Sequence, residues 1–279
     1  MSKTTLSQRA METQNESEKL FEQYLDSNGF RGKWIHEPQI PRKSKRPDYL
    51  LNYNGQEYFF EVKELRKKDN EPTKWPAYID PYTSLRTEIN EARKQFKQFK
   101  DYSCSLVVYN IDDRQARLRP NYVLGAMLGN LGIEMDFNAA EGKLVEGTEE
   151  NVFLNGGKMI DDKMGRTQNK TISAIVVLEE FRDDSEIQKA IKEEVKKQGK
   201  LPTLVEKVEI NIKVVKNHHS SLVSRVVVVE NPFARIAFPE GLFFGPFDER
   251  WRWTMENGKF ERVFAGDKFR ELEELRDKS

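Results

Sequence analysis

The chain has one cysteine, no excess of charge of either sign and no long apolar run, and each shortage removes a class of protein. Cys104 has no partner for a disulfide, which suits a reducing compartment. Its position just before Leu106-Val107-Val108-Tyr109 marks it as a small buried residue. Lysine plus arginine number 46 and aspartate plus glutamate 46, so total charge does not announce a nucleic acid and local clusters must carry any such argument. No stretch reaches the roughly 18 apolar residues of a membrane span. Met1 to Asn15 is polar and lacks the apolar centre of a signal peptide, so a soluble, cytoplasmic protein is expected. His218-His219 has no third ligand at zinc spacing and reads as a polar turn between two strands. No internal repeat occurs. The 279 residues, 11% of them aromatic, can bury a sizeable core in one large domain or two small ones.

The chemistry concentrates in Arg46-Pro47-Asp48-Tyr49-Leu50-Leu51-Asn52-Tyr53-Asn54-Gly55-Gln56-Glu57-Tyr58-Phe59-Phe60-Glu61-Val62-Lys63. Asn-Gly between two β-rich runs signals a two-residue hairpin, because a type I′ turn needs positive φ at both central positions. With Tyr53 facing Gln56, the register puts Asn52 opposite Glu57, Leu50 opposite Phe59 and Asp48 opposite Glu61. Alternation then sets Glu61 and Lys63 on one face, and Tyr49, Leu51, Tyr53, Tyr58, Phe60 and Val62 on the other. Opposed carboxylates ~4.5–5.5 Å apart at Cβ repel. A cation between them is expected, and a hard divalent ion with oxygen ligands fits that need. The competing reading is the solvated face of an amphipathic hairpin.

Around the hairpin the pattern predicts a helix from about Ser17 to Asp26, striped by Leu20, Phe21, Tyr24 and Leu25 and ended by Asn28-Gly29, with Glu18 and Glu22 beside the stripe. A short strand is expected over Lys33 to Pro38. After the hairpin, Thr83 to Lys100 reads as a long amphipathic helix with Leu85, Ile89, Ala92, Phe96 and Phe99 on its inner face and Gln95 beside it. Ser105 to Asn110 reads as a buried strand parallel to a hairpin strand. Further on, the spacing predicts a short helix at Asn121 to Leu131, a loop or insertion with little strand at 133–170, and a strand at Thr171 to Glu179. A helix at Ser185 to Gln198 and strands at Val208 to Val215 and Val223 to Val229 follow. Asn231 to Asp248 reads as an ordered aromatic loop, and Phe260 to Arg276 as strand and helix. Trp251 and Trp253 are expected to pack at the core or the sheet edge rather than to stack on bases.

Pro47-Asp48 followed by Glu61-Val62-Lys63, with a Glu-bearing helix before and a helix–strand pair after, resembles the PD-(D/E)XK nuclease superfamily over roughly Ser17 to Asn110. The resemblance implies an α/β fold with a restriction-endonuclease-like mixed central sheet flanked by helices. On that reading residues 1–15 form a flexible N-terminus, 16–115 the nuclease core, and 116–279 a β-rich extension packing on or completing it. It implies Mg²⁺, with Mn²⁺ a substitute, bound by Asp48, Glu61 and the Val62 carbonyl. Glu18, in preference to Glu22, would match the helix glutamate many members add. Lys63 would position or help deprotonate the attacking water and stabilise charge. Gln95 matches a glutamine of a subset of members, although Phe99 stands where those commonly carry tyrosine.

Arg42, Lys43, Lys45 and Arg46 precede Asp48, Arg66, Lys67 and Lys68 follow Lys63, and Arg93, Lys94, Lys97 and Lys100 lie on the helix. Such runs are commonly solvated faces, but their convergence suits phosphate contacts that hold nucleic acid without reading sequence. The expectation is therefore a DNA endonuclease or exonuclease of restriction, repair or phage-related defence. The alternatives are an inactive nucleic-acid-binding or assembly protein that keeps the fold, and a structural protein. DNA is favoured over RNA, a membrane is not expected, and a homodimer is compatible although no symmetric surface is identifiable.

Overall fold

The structure is a computed structural model, and it describes residues 15–41, 43–65, 82–110, 118–139, 142–145, 150–161, 166–197, 203–254 and 259–277. Its elements run α1 (Glu16–Ser27), β1 (Trp34–His36), β2 (Tyr49–Tyr53), β3 (Gln56–Leu65), α2 (Thr83–Phe96), β4 (Ser103–Asn110) and α3 (Pro120–Leu128). Next come the short strands β5 (Gly129–Glu134), β6 (Phe137–Asn138), β7 (Lys143–Leu144), β8 (Glu150–Gly156), β9 (Ile160–Asp161) and β10 (Arg166–Thr167). The chain continues through β11 (Ile172–Asp183), α4 (Ser185–Lys197), α5 (Leu204–Asn217), β12 (Ser221–Glu230), β13 (Glu249–Thr254), β14 (Lys259–Ala265) and α6 (Asp267–Asp277).

One mixed sheet of eight strands, in the order β1-β2-β3-β4-β11-β12-β13-β14, organises the α/β fold. Strands β3, β4 and β11 run parallel to one another, and β2 and β12 are antiparallel to their inner neighbours. The hairpin register agrees with the pairing read from Asn54-Gly55: Tyr53 faces Gln56, Leu50 faces Phe59, and the paired run ends at Tyr49 and Phe60. Asn54 (φ 50°) and Gly55 (φ 75°) both adopt the left-handed conformation that the type I′ turn requires.

The sheet buries both faces. On one, α1 lays Leu20, Phe21, Tyr24 and Leu25 against Tyr49, Leu51, Phe60 and Val62. Phe21 and Phe60 meet there with ring centroids 5.5 Å apart. On the other, α2 contributes Leu85, Ile89, Ala92 and Phe96, packed with Phe59, Cys104, Leu106 and Val108. Each of these larger side chains gains roughly 1.5–3 kcal/mol by burial. Cys104 is buried, as a small packed thiol should be. Trp251 and Trp253 pack at the margin of the α2-side core. The loop of residues 231–248 buries Phe238, Leu242 and Phe243 on the α1 side.

Two expectations are corrected. Val208 to Val215 is not a strand but part of α5, opened by a capping box in which Thr203 and Glu206 satisfy each other's backbone N–H groups. His218-His219 consequently joins a helix to β12 rather than two strands. The stretch expected to hold little strand instead forms antiparallel pairs: β5 with β8, β6 with β7 and β9 with β10.

Candidate active site

Asp48 stands one residue before β2, and Glu61 and Lys63 alternate onto the α2 side of β3, in parity with Phe59 and Leu65 of that core. Asp48 Oδ2 accepts the Val62 N–H at 2.7 Å, which fixes the carboxylate at the edge where β2 begins. In an extended residue N–H and C=O leave the strand on the same side, so the Val62 carbonyl opens toward Asp48 as well. Lys63 Nζ lies 2.6 Å from Glu61 Oε1 and 3.9 Å from Asp48 Oδ2. The positive charge that opposed carboxylates require is thus supplied in part by the chain itself.

Glu61 is the most deeply set of the three, its side chain 1% exposed against 24% for Asp48 and 31% for Lys63. Its second oxygen, Oε2, is buried and receives no hydrogen bond of acceptable geometry, although Gln95 from α2 is near enough to favour the ionised form. Burial, and then the Asp48 charge, push the Glu61 carboxyl up to about 6 against the pull of Lys63. Asp48 is raised too, chiefly by burial, with Lys63 and the Val62 N–H opposing. Burial alone would lower the Lys63 ammonium. The contact with Glu61, with Asp48 and Glu88 behind it, outweighs that loss and raises it.

Glu18 lies on the opposite helix. Its Oε2 accepts the Asn15 N–H at 3.1 Å as half of a capping box, and its pKa is raised by burial and by the Asp48 charge, so it stands within electrostatic reach of the site but not in contact with it. Glu22 accepts the Tyr49 hydroxyl at 3.0 Å. Two further residues border the site that sequence reasoning passed over. His36 pairs with Tyr49 across β1–β2 and, when charged, favours ionised Asp48 and Glu18. Glu37, at φ 45°, donates its N–H to the Asp48 carbonyl at 2.7 Å. Extending the antiparallel pairing from the hairpin to the preceding strand would have found both.

Among the described residues no group of three or more His, Cys, Asp or Glu side chains is arranged to hold a metal. The donor set is instead two carboxylates, one of them with an orphaned buried oxygen. This suits Mg²⁺, which commonly takes one or two carboxylates and completes its shell with water and substrate oxygens. The residues present therefore fit the implied cation.

Of the basic residues, Arg42, Arg66, Lys67 and Lys68 lie outside the described residues. Lys43 Nζ donates to the Gln98 carbonyl at 2.6 Å and so ties the loop to the end of α2, whereas Lys45 and Arg46 are exposed. Lys94 pairs with Glu91 at 2.6 Å. Glu91 is lowered by that hydrogen bond first and also by Lys45 and Lys63, which sets these cations in one electrostatic neighbourhood. No helix among the described residues is long and apolar enough to cross a membrane. No family model, no curated protein and no solved structure matches the chain.

Proposed function

We propose that the protein hydrolyses phosphodiester bonds of nucleic acid, DNA in preference to RNA, at a Mg²⁺-dependent site on a restriction-endonuclease-like core. The single observation that carries this reading is the buried Glu61, with one oxygen orphaned, packed against Asp48 and Lys63 beside a basic helix. Asp48 and Glu61 would hold the cation, Mn²⁺ serving as a substitute, with the Val62 carbonyl as a further oxygen donor; Glu18, bonded to the Asn15 N–H on the opposite helix, would act on it only through its charge. When bound, the cation supplies charge stabilisation at the phosphate and a more acidic water.

The chain's own residues do the rest. Lys63 is held as an ammonium by Glu61, so it acts as a donor toward a non-bridging phosphate oxygen and not as a base. Gln95 steadies the Glu61 carboxylate. Lys45, Arg46 and Lys94 draw the polyanion toward the edge and orient its backbone without reading bases.

The test is cleavage of supercoiled plasmid, single-stranded DNA and RNA by the purified protein in Mg²⁺, Mn²⁺ or EDTA, with Lys63→Met alongside. DNA cleavage in either metal, none in EDTA, and a loss of about 10²–10³ in rate for Lys63→Met are expected, the magnitude of losing one preorganised donor. Cleavage that persists in EDTA contradicts the reading. Tight DNA binding with no cleavage in any metal would instead identify a nucleic-acid-binding protein that keeps the fold.

A further inference from the structure

Beyond the hairpin, a groove of about 390 Å³ is lined by Arg93, Lys94, Lys97, Lys100, Lys170 and Arg235, together with Asn169 and Thr171. Six cations converge there from three separate elements, and among the described residues no carboxylate lines the groove. Four belong to the end of α2 and the turn after it, Lys170 to the turn before β11, and Arg235 to the loop of residues 231–248. Neither Lys170 nor Arg235 sits in a basic run, which is why the sequence alone does not single them out.

The walls are fixed before any ligand arrives. Arg235 N–H donates to the Lys170 carbonyl at 2.7 Å, Asn231 N–H to the Ser173 carbonyl at 2.9 Å, and Ser173 Oγ to the Ile236 carbonyl at 2.6 Å. Asn169 takes a left-handed conformation at φ 54°, which asparagine tolerates better than most residues. It is 8% exposed, and its Nδ2 donates to the Lys158 carbonyl, yet its Oδ1 is buried with no donor opposite. Six cations spread along a groove suit a polyanion whose charges are spaced along its length, as the phosphates of a nucleic-acid strand are.

We infer that this groove is a second nucleic-acid contact, holding backbone phosphates of the strand away from the bond that is cut. The inference rests on the nuclease reading for its substrate, and it adds the track: Lys94 belongs to the groove and, through Glu91, to the neighbourhood of Lys63, while Gln95 beside it faces Glu61. The substrate therefore runs along the outer face of the second half of α2 and over the Lys170–Arg235 edge. Contacts of this kind orient and hold the strand and carry no sequence information.

The experiment is fluorescence anisotropy of a labelled duplex oligonucleotide in EDTA across a salt series, comparing the full-length protein with Lys170→Glu/Arg235→Glu and, on α2, Lys97→Glu. These side chains are exposed, so the variants should melt with the wild type. Binding weakened about tenfold or more and a log–log salt slope shallower by about 2 for the double variant are expected, with pyrophosphate a poor competitor of the oligonucleotide. In Mg²⁺, the same variant should raise KM while leaving kcat within about twofold, as loss of uniform binding does. Unchanged affinity and slope would overturn the groove even if the wild type cleaves. Groove-dependent binding without cleavage would uphold the groove and overturn only the nuclease reading.

Discussion

Glu61 concentrates the cost of the site in one residue. Its carboxyl titrates near 6 in the fold, above the 4.5 of an exposed glutamate, because burial and Asp48 both oppose its charge. The folded state therefore binds the proton more tightly than the unfolded chain. The stabilising contribution is full below pH 4.5, is lost as pH rises toward 6, and stays lost above that. Without a divalent cation, Glu61→Gln should remove this dependence and be more stable than the wild type at pH 7 by on the order of 1–2 kcal/mol. Urea melts in EDTA at pH 4.5, 6 and 7.5 would read the difference; equal stabilities across the series would mean that Glu61 is not a strained carboxylate. Added Mg²⁺ should close the gap, since an ion bound only by the folded wild type stabilises it by mass action.

At the scale of elements, the hairpin and α5 explain what the sequence reveals and what it hides. The hairpin was legible because Asn54-Gly55 fixes turn type, turn type fixes register, and register fixes which side chains share a face. Counting puts Glu61 and Lys63 on one face, in parity with Phe59 and Leu65 of the α2-side core, whereas the expected Asp48–Glu61 pair lies beyond the last paired residues, Tyr49 and Phe60. Helix α5 imitates a strand in sequence because it is apolar on two opposite faces. Ile210 and Val214, one turn apart, pack inward against α4, whereas Val205, Val208, Ile212 and Val215 point outward and are at least half exposed. Together the two stripes put apolar residues at 208, 210, 212 and 214, which imitates the period of a strand. The two arrangements predict different mutational costs. Ile210→Ala should cost about 2 kcal/mol, and Val208→Lys or Ile212→Lys less than about 0.5 kcal/mol, when midpoints of thermal unfolding are compared. Equal costs at 208, 210 and 212 would restore the strand, in which all three share one face.

The whole molecule depends on contacts that no local pattern announces. Strands β11 to β14 continue the sheet begun by β1 to β4, with β4 and β11 paired in parallel across more than sixty intervening residues. Arg250, 2% exposed, ion-pairs with Glu230 and donates to the carbonyls of Phe238, Pro239 and Glu240 at 3.0 Å each, pinning the long loop to the sheet. Asp248 is held by the Tyr24 hydroxyl at 2.5 Å and by the Val226 and Gly245 N–H groups, which joins that loop to α1. Such long-range charge pairs read in sequence as ordinary surface residues; only the fold makes them buried and satisfied. A fragment ending at residue 115 would expose the β4 edge and leave Tyr24 and Phe60 without Phe243. Its circular dichroism and amide NMR should be those of a chain without fixed tertiary packing; a dispersed, cooperative fragment would show that the first half folds alone.

The central claim is that Asp48 and Glu61 form, with Lys63, a metal-dependent phosphodiesterase site. The most direct measurement is the initial rate of plasmid nicking in Mg²⁺ by wild-type protein and Asp48→Asn at equal concentrations, with DNA binding measured in parallel. The account predicts nicking by the wild type, a rate for Asp48→Asn lower by about two orders of magnitude or more, and DNA affinity that is retained. Equal nicking by both proteins would contradict it.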